Sequence, residues 1–316
     1  MTVKRENTPK ITPITTADGS LSCFNAETRE AYHNKAGAYT EALENFVLPS
    51  GVLQKAVGAD LIRILDPCFG LGYNTWVLLD ELLKLSEPPR QIYITAIENE
   101  PDILEIVPEA LNSPLFHPLK AKIPALWHNT YYRTQEGVSQ KSGSNTTPVV
   151  FSVQGCSVTF ELFLNDLRAC VPALKGPYDV VLHDAFSAQR MPELWTVDLF
   201  RQYYRLLAPV KGSVITYSSA GAVRGGLVEA GFKLGKTRAL GEKNGGTVAY
   251  LSECLPPGSE ALNKTEEYYL ETRAGIPYRD YDLMNSAAMI ITSRKREQHD
   301  SQRPSGAETR SKLLQL

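Results

Sequence analysis

The sequence predicts a doubly wound α/β fold, in which helices cover both faces of a mostly parallel sheet. A short apolar run, "LIRIL" at 61 to 65, ends in the glycine turn "DPCFGLG", and the helical run "NTWVLLDELLKL" follows. Strand, glycine turn and helix in this order form the first unit of such a sheet. Downstream, apolar strand runs alternate with helical runs, and several of the strand runs end on a carboxylate.

The elements after this first unit keep the same alternation. "QIYITAIE" (91 to 98) is a second strand, and "PDILEIVPEAL" after it is typical of a helix broken at its internal proline. "VVFSVQGCSVTFELFLND" alternates apolar and polar residues around Gln154-Gly155, which predicts a β-hairpin. The remaining predicted elements are the strand "YDVVLHDAF", the helix "LWTVDLFRQYYRLLAP", the strand "GSVITYSS", the helix "GAVRGGLVEAGF" and the strand "GGTVAYLS".

Composition divides the chain into four parts. A helix is predicted over 25 to 47, and the polar low-complexity stretch at 134 to 148 is a candidate internal linker. The polar C-terminal tail is expected to be disordered. The four parts are an N-terminal arm and helix (1 to 50), the α/β domain (51 to 254), a mixed appendage (255 to 293) and the tail (294 to 316).

Composition and charge indicate a soluble cytoplasmic protein. Of the 316 residues 43% are hydrophobic, and the formal net charge is −2, so any nucleic acid must bind to a local basic face. The five cysteines are scattered without a CxxC pair or a zinc-like spacing, so we expect reduced thiols and no metal. Neither a signal peptide nor a membrane-spanning apolar stretch is expected.

The glycine turn predicts a ligand without a phosphate. Gly70 and Gly72 let the backbone pass close to a ligand, but Asn74 stands where a pyrophosphate cradle would have its third glycine. Asp66, which ends the first strand, better suits a cationic group such as the methionine part of S-adenosylmethionine. An ordinary strand-to-helix turn is the alternative.

Carboxylates at successive strand ends strengthen this interpretation. Glu98 ends the second strand, where an acid meets ribose hydroxyls in doubly wound sheets, with Glu100 as a neighbouring alternative. Asp166 ends the third strand and suits either an adenine amino group or the N-cap of the helix that follows. Asp184 ends the fourth strand. Because the carboxyl ends of parallel strands share one edge, we expect these acids to surround one crevice.

Several of these segments occur in the order seen in one family. They are "TADGSLSCFNAETREAYHNKAGAYTEALENFV", "DPCFGLGYNT", "AIENEPD", "LFLND", "LHDAFSAQRMPELWT" and "TYSSAGAVRGGLVEAGFKLGKTRALGEKNGG". Over roughly residues 15 to 250 the chain resembles the methyltransferase half of MnmC, in particular its stand-alone versions without the FAD-dependent oxidase. MnmC builds 5-methylaminomethyl-2-thiouridine at the tRNA wobble position.

The resemblance implies a class I, seven-stranded, Rossmann-like methyltransferase that uses S-adenosylmethionine to methylate the amine of a 5-aminomethyluridine in tRNA. It implies that Asp66, Gly70 and Gly72 line the methionine end of the cofactor. Glu98 then takes the ribose and Asp166 the adenine. The rest of the expected cofactor set is Asn74 and Glu41. Glu41 is expected to cap the cofactor from the N-terminal helix, and a purely structural helix is the alternative.

Asp184 is the expected catalytic residue. It faces the transferring methyl group and the acceptor amine, accepts a hydrogen bond from the amine and aligns its lone pair. Because an aspartate has an ordinary pKa of about 4, orientation is expected to be its main contribution. The expected substrate-binding residues are Phe186, Arg190, Trp195, Arg224 and Lys243.

A local excess of positive charge suggests a tRNA-binding face at 186 to 250. Nine lysines and arginines stand against four acids there, and the acids are Glu193, Asp198, Glu229 and Glu242. The alternative is a solvated surface without a ligand.

Two other functions remain open. An aminopropyltransferase of the spermidine-synthase kind shares the fold and also serves an amine, and a non-catalytic module could bind cofactor or RNA without turnover. The sequence also departs from the family at Cys68, which replaces a common glycine, and at His183 and Ala185 in "HDAF".

Overall fold

The structure, a computed structural model, describes residues 10–35, 37–112, 115, 148–238 and 245–306. Its strands are β1 (Ile11–Thr15), β2 (Leu21–Asn25), β3 (Glu30–Ala31), β4 (Leu61–Asp66), β5 (Gln91–Glu98), β6 (Val149–Val153), β7 (Cys156–Leu164), β8 (Val180–Leu182), β9 (Ser213–Thr216), β10 (Lys233–Lys236), β11 (Thr247–Tyr250) and β12 (Glu260–Ala261). Its α-helices are α1 (Ala38–Ala42), α2 (Val52–Ala56), α3 (Tyr73–Leu83), α4 (Pro101–Leu111), α5 (Leu167–Cys170), α6 (Val197–Leu206), α7 (Gly221–Glu229), α8 (Lys264–Leu270) and α9 (Ala287–Asp300).

The central sheet has nine strands in the order β12-β10-β11-β9-β8-β4-β5-β7-β6. The five strands from β9 to β7 pair in parallel, and β11 pairs antiparallel with both β9 and β10. The order steps outwards from β4 in both directions, which is the doubly wound arrangement that the sequence predicts. Nine strands replace the expected seven because β6 and β12 add one antiparallel strand at each edge.

Apolar residues on alternate positions of the parallel strands pack against two separate cores. Ile64 and Ile94 lie in one core with α3 and α4, whereas Leu65 and Val181 lie in the other with α6 and α7. Because side chains alternate across a strand, both faces of the sheet are buried under helices. None of the helices given above combines the length and the apolar character of a membrane span.

Most predicted elements of the α/β domain are present. The hairpin of β6 and β7 turns at Gln154 and Gly155, whose φ values of 50° and 82° suit a type I′ turn. The predicted break in α4 is wrong, because the helix continues through Pro108 with buried Leu104 and Val107 holding it to the core. Strand β10 was not predicted, since "KLGK" has a single large apolar residue. The linker predicted at 134 to 148 lies almost entirely outside the described residues.

The N-terminal part differs from its prediction. A helix was expected over 25 to 47, but β1, β2 and β3 form a three-stranded antiparallel sheet before α1. A π-helical turn (Leu43–Val47) and a 3-10 turn (Leu48–Ser50) continue α1. No helix begins at Asn25, the start of the predicted range, because its side chain closes a turn. The side-chain oxygen of Asn25 accepts hydrogen bonds from the backbone N–H groups of Glu27 and Thr28.

The C-terminal tail was predicted to be disordered from Arg294, and this is wrong up to the end of α9. Ile290 is buried, and Arg294 donates a hydrogen bond to the carbonyl of Ile276 while its guanidinium lies over the Tyr278 ring. Glu297 pairs with Arg279. Composition did not predict this helix, because it is held in place by polar side chains and by Ile290, its one buried residue.

The glycine turn between β4 and α3 has the left-handed backbone that the two glycines permit. Gly70 has φ 53° and Gly72 has φ 77°, whereas Cys68 is not among the residues with positive φ. Cys68 therefore needs no glycine in its place. A Cβ atom on Gly72 would collide with Phe69 Cζ and lie 2.5 Å from Trp76 Nε1.

We predict that Gly72→Ala destabilises the protein by about 2–5 kcal/mol, the sum of left-handed strain and overpacking. Gly155→Ala is the matched control, since Gly155 has φ 82° and no atom within 4 Å of an added Cβ. It should cost only about 1–2 kcal/mol. Urea unfolding of both variants measures the difference, and equal losses would contradict the steric role of Gly72.

Candidate functional site

A cavity of about 530 Å3 opens at the edge of the sheet where β4, β5, β7 and β8 end. The residues directly after these strands form one side of it, and the N-terminal sheet with the segment that follows it forms the other. Its volume is in the range of small-molecule sites, and its position is the crevice where doubly wound proteins bind ligands.

The wall of this cavity is strongly acidic. Carboxylates outnumber cationic side chains by eight to two, and burial lowers the pKa of His33 to about 4, so this histidine adds no charge at neutral pH. Such a wall favours a cationic ligand and disfavours a phosphate. The carboxylates belong to Glu27, Glu30, Glu41, Glu98, Glu100, Asp166, Asp184 and Glu193, and the cations to Lys10 and Arg168.

Glu98 is held by the backbone around it. Its carboxylate accepts hydrogen bonds from the N–H groups of Gly70 at 2.7 Å, and of Asn99 and Glu100 at 2.8 Å each. Burial raises its pKa, and these three bonds oppose the rise. A carboxylate has about four acceptor positions, so roughly one is left for a hydroxyl group of a ligand. The Gly70–Glu98 hydrogen bond therefore links the glycine turn to the end of β5.

Asp184 faces the cavity, while protein encloses its other sides. The Asn74 amide donates a hydrogen bond from Nδ2 to Asp184 Oδ2 at 2.8 Å. Burial and the nearby charge of Glu41 raise the pKa of Asp184 well above its ordinary value, and the Asn74 hydrogen bond opposes this rise. Asp184 is therefore a stronger base than an exposed aspartate. Asn74, expected to contact the cofactor, is not part of the cavity wall and holds the Asp184 carboxylate from behind it.

Asp66 lies beneath the glycine turn and not in the wall of the cavity. Thr75 Oγ1 donates a hydrogen bond to Asp66 Oδ2 at 2.7 Å, which ties the end of β4 to the first turn of α3. Burial raises the pKa of Asp66 to about 7 against this hydrogen bond, with the charge of Glu98 adding to the rise. Gly72 is the N-cap of α3 and is also outside the wall. Asp66 and Gly72 therefore fix the shape of the glycine turn without lining the cavity.

Asp166 lines the cavity and caps α5. It accepts a hydrogen bond from the Arg168 backbone N–H at 2.8 Å, so the N-cap alternative weighed from the sequence is confirmed. The Arg168 guanidinium also contacts Asp166 at 3.1 Å. Sequence reasoning missed Arg168, although its position two residues after a capping aspartate is a local signal for such a pair.

The N-terminal sheet closes the cavity from above. Glu30 accepts hydrogen bonds from the backbone N–H of Ser187 at 3.1 Å and from its hydroxyl at 2.6 Å. Tyr32 packs edge-on against Phe186, and an added Cβ on Gly70 would lie 3.3 Å from its ring. Glu41, on α1, also lines the cavity and accepts a hydrogen bond from the Asn34 backbone at 2.7 Å. The sequence did not predict that the N-terminal sheet covers the cavity, because its strands are too short to show an alternation of polar and apolar residues.

The five predicted substrate-binding residues are dispersed. Phe186 lines the cavity, Arg190 lies exposed in the turn just before the lining residue Met191, and Lys243 lies outside the described residues. Trp195 is fully buried, and its Nε1 donates to the carbonyl of Phe186 at 2.8 Å, so its predicted contact with the substrate is wrong. The Trp195 ring packs in the core against the His183 ring.

Arg224 does not reach the cavity either, and its predicted contact with substrate is wrong. It is 4% exposed, donates to Thr247 Oγ1 at 2.9 Å, and pairs with Glu266 of α8 at 3.1 Å. Five of the eight described cations of the predicted basic face are in ion pairs, four of them with acids after residue 250 that fold back onto it. The ion pairs are Lys233 with Glu253, Lys236 with Glu266 and Arg238 with Glu260, while Arg201 pairs with Asp198 and Glu229.

His183 and Cys68 are both uncharged at neutral pH. His183 is fully buried, its Nδ1 lies 3.0 Å from the Tyr203 hydroxyl, and burial lowers its pKa to about 3. His183 therefore belongs to the core and not to the cavity wall. Burial and the surrounding carboxylates raise the pKa of the Cys68 thiol well above its usual value, so it lines the cavity as a neutral group.

Two comparisons identify the class of protein. Residues 138–252 match the model of a family of S-adenosyl-L-methionine-dependent methyltransferases. The structure is similar to the crystal structure of MnmC2 from Aquifex aeolicus, with a TM-score of 0.68 and 28% identity over 93% of this chain and 86% of that one. With the doubly wound sheet and its acidic crevice, these matches define a class I S-adenosylmethionine-dependent methyltransferase.

More particularly, the chain is similar to the MnmC proteins. It is 26% identical to the tRNA 5-methylaminomethyl-2-thiouridine biosynthesis bifunctional protein MnmC of Burkholderia vietnamiensis over 74% of this chain. It spans only 34% of the length of that relative. A protein of Methanocaldococcus jannaschii without an assigned function is 28% identical over 89% of this chain and 71% of its own length.

The cavity fits the cofactor of this class by charge and by shape. S-adenosylmethionine carries an ammonium and a sulfonium but no phosphate, which matches a wall with eight carboxylates. Gly70 presents backbone without a side chain to the crevice, and Tyr32 fills the space that a larger residue would need. The chemistry of the wall thus suits the cofactor that the family uses.

We predict that Asp184→Asn stabilises the protein at neutral pH while impairing the site. Because the pKa of Asp184 is raised in the folded state, the wild type binds more protons folded than unfolded and loses stability as pH rises above about 4. The variant lacks this loss, so its advantage should appear only above that pH.

Urea unfolding between pH 4 and pH 8 measures this difference. Asp60→Asn is the control, since its carboxylate is 85% exposed and should give no comparable gain. A wild type and an Asp184→Asn variant with parallel stability profiles would contradict the raised pKa.

Proposed function

We propose that the chain transfers a methyl group from S-adenosylmethionine to the amine of 5-aminomethyluridine, with or without the 2-thio group, at the wobble position of tRNA. The observation that carries this proposal is Asp184, a cavity-facing carboxylate of raised pKa at the end of β8, within an acidic crevice. The MnmC relatives, by name, act in the biosynthesis of the methylated product of this reaction. Cytoplasmic tRNA is the expected partner.

The acids after β5 and β7, Glu98 and Asp166, suit the nucleoside part of the cofactor. The free acceptor position of Glu98 suits one ribose hydroxyl, and Asp166 suits the adenine amino group. Gly70 leaves room for close approach of the backbone. Glu41, near Asp184, suits the cationic methionine end, where two like charges gain from a positive neighbour. When bound, the cofactor supplies a methyl group on a sulfonium.

Asp184 prepares the acceptor amine. An alkyl amine has an ordinary pKa of roughly 10, near that of lysine, so at neutral pH it arrives mostly protonated and without a free lone pair. Asp184 accepts a hydrogen bond from the ammonium, and its raised pKa makes it a competent acceptor for the proton that leaves. The amine that remains is oriented with its lone pair toward the methyl group.

The acidic wall also limits which part of the tRNA enters. Phosphate groups are repelled from a cavity with a large surplus of carboxylates, whereas a base that bears an aminomethyl group brings a positive charge. An extruded wobble uridine meets this requirement, because its cation lies at the far end of the base from the backbone. A polyamine substrate also does, so the aminopropyltransferase alternative needs a direct test.

The decisive assay uses S-adenosylmethionine labelled in its methyl group. We predict that label enters tRNA that bears 5-aminomethyluridine and does not enter otherwise matched tRNA with an unmodified wobble uridine. A parallel reaction with decarboxylated S-adenosylmethionine and putrescine should give no spermidine. Label in both tRNA samples, or spermidine in the parallel reaction, would contradict the proposal.

Asn74 is a positioning residue whose loss should change the pH profile of the reaction. Removing a donor to the Asp184 carboxylate raises the pKa of Asp184 further, so Asn74→Ala should move the acidic limb of the kcat profile to higher pH. We also expect kcat to fall about 10- to 100-fold, because the carboxylate loses its orientation.

Asn263→Ala is the matched control for this prediction. Its side-chain oxygen caps α8 by accepting from the Glu266 N–H at 2.9 Å, away from the catalytic cavity. It should lower stability and leave the pH profile in place. An Asn74→Ala profile with an unmoved acidic limb would contradict the positioning role.

A further inference from the structure

The two most exposed large apolar side chains of the described residues lie three positions apart in the chain. Met284 is 82% exposed and Tyr281 73%, and Met289, at the start of α9, is 59% exposed. We call these three residues the outer apolar surface. Large apolar side chains this exposed keep most of their contact with water after folding, so packing within the described residues does not account for them.

The segment that carries Tyr281 and Met284 is firmly held. Asp280 is fully buried, accepts from the backbone N–H groups of Met284 at 3.1 Å and Asn285 at 2.9 Å, and donates its own N–H to Asp198 at 2.7 Å. Between them, Leu283 has the left-handed φ of 55° that a leucine rarely adopts. The loop is therefore fixed in a shape that presents these side chains to solvent.

The loop that carries Tyr281 and Met284 is joined to the wall of the cavity. Arg168 lines the cavity, and its Nη1 donates to Asp280 at 3.1 Å and to the carbonyl of Asn285 at 2.9 Å. The same guanidinium contacts Asp166 on the cavity side. One arginine thus joins the wall that receives the cofactor to the loop that bears Tyr281 and Met284.

We propose that the outer apolar surface binds bases of the tRNA anticodon loop that flank the wobble uridine. The inference rests on the proposed function, since it assumes that an anticodon base enters the cavity. Bases next to an extruded one are unpaired, and aromatic side chains stack on such bases with little regard to sequence. The stacking surface is the Tyr281 ring, and Met284 and Met289 extend it with adaptable apolar contact.

Charge supports stacking as the means of docking. The cavity is acidic, and the cations at 201 to 238 that the sequence offered as a phosphate-binding face are largely paired with carboxylates. Within the described ranges Arg190, Lys295 and Arg296 are exposed and make no ion pair, which leaves a few cations for the phosphates beside the stacked bases.

The test is direct binding of a fluorescein-labelled anticodon stem-loop RNA, followed by anisotropy. Tyr281→Ala should weaken binding about fivefold or more, the loss expected for one stacked base, and Tyr281→Phe should bind within about twofold of the wild type. Tyr204→Ala is the control, because Tyr204 is 45% exposed and packs on Phe232 in another part of the surface. Affinity for S-adenosylmethionine should stay unchanged in all three.

Three results would overturn the proposal: unchanged affinity in Tyr281→Ala, an equal loss in Tyr204→Ala, or no RNA binding by the wild type. A wild-type dimer in sedimentation that Tyr281→Ala dissociates, without an effect on RNA binding, would assign the surface to a second copy of the chain. Failure of the proposed function is a separate result, because the wild type would then bind the stem-loop and leave its 5-aminomethyluridine unmethylated.

Discussion

Mutual repulsion among the carboxylates around one crevice is the constraint on which the site depends. Five of the eight acids are each held by a donor or a cation: Glu98 by three backbone N–H groups, Asp166 by Arg168, Glu30 by Ser187, Glu100 by Lys10 and Asp184 by Asn74. Burial raises the pKa of Glu98 and Asp184, and the charges of Glu100 and Glu41 add to the rise, so both carboxylates favour a positive neighbour. A cationic cofactor and a cationic acceptor amine both relieve that repulsion.

The fold and the acidic edge could be predicted from the sequence because both follow from local patterns. Apolar strand runs separated by helices define a doubly wound sheet, and an acid after each strand must then lie at one edge. The pairing of Asn74 with Asp184 could not be predicted in this way, because it joins the first turn of α3 to the end of β8, 110 positions apart. Spacing in the chain carries no signal for such a contact.

The errors also have physical causes. The cap made by β1, β2 and β3 consists of strands of two to five residues, too short for periodicity to separate from a helix. The charge count at 186 to 250 ignored Glu253, Glu260 and Glu266, which pack back onto that face. Trp195 was expected to bind the substrate, but it lies in the core, where a backbone carbonyl accepts the hydrogen bond of its indole N–H.

The most direct test of the account is the single-turnover rate constant of methyl transfer in Asp184→Ala, measured at saturating S-adenosylmethionine and 5-aminomethyluridine tRNA. The account predicts a fall of about 10²- to 10⁴-fold, as for loss of a positioned general base, with cofactor affinity largely kept. A rate constant equal to that of the wild type would contradict it, and so would a loss that follows entirely from weaker cofactor binding.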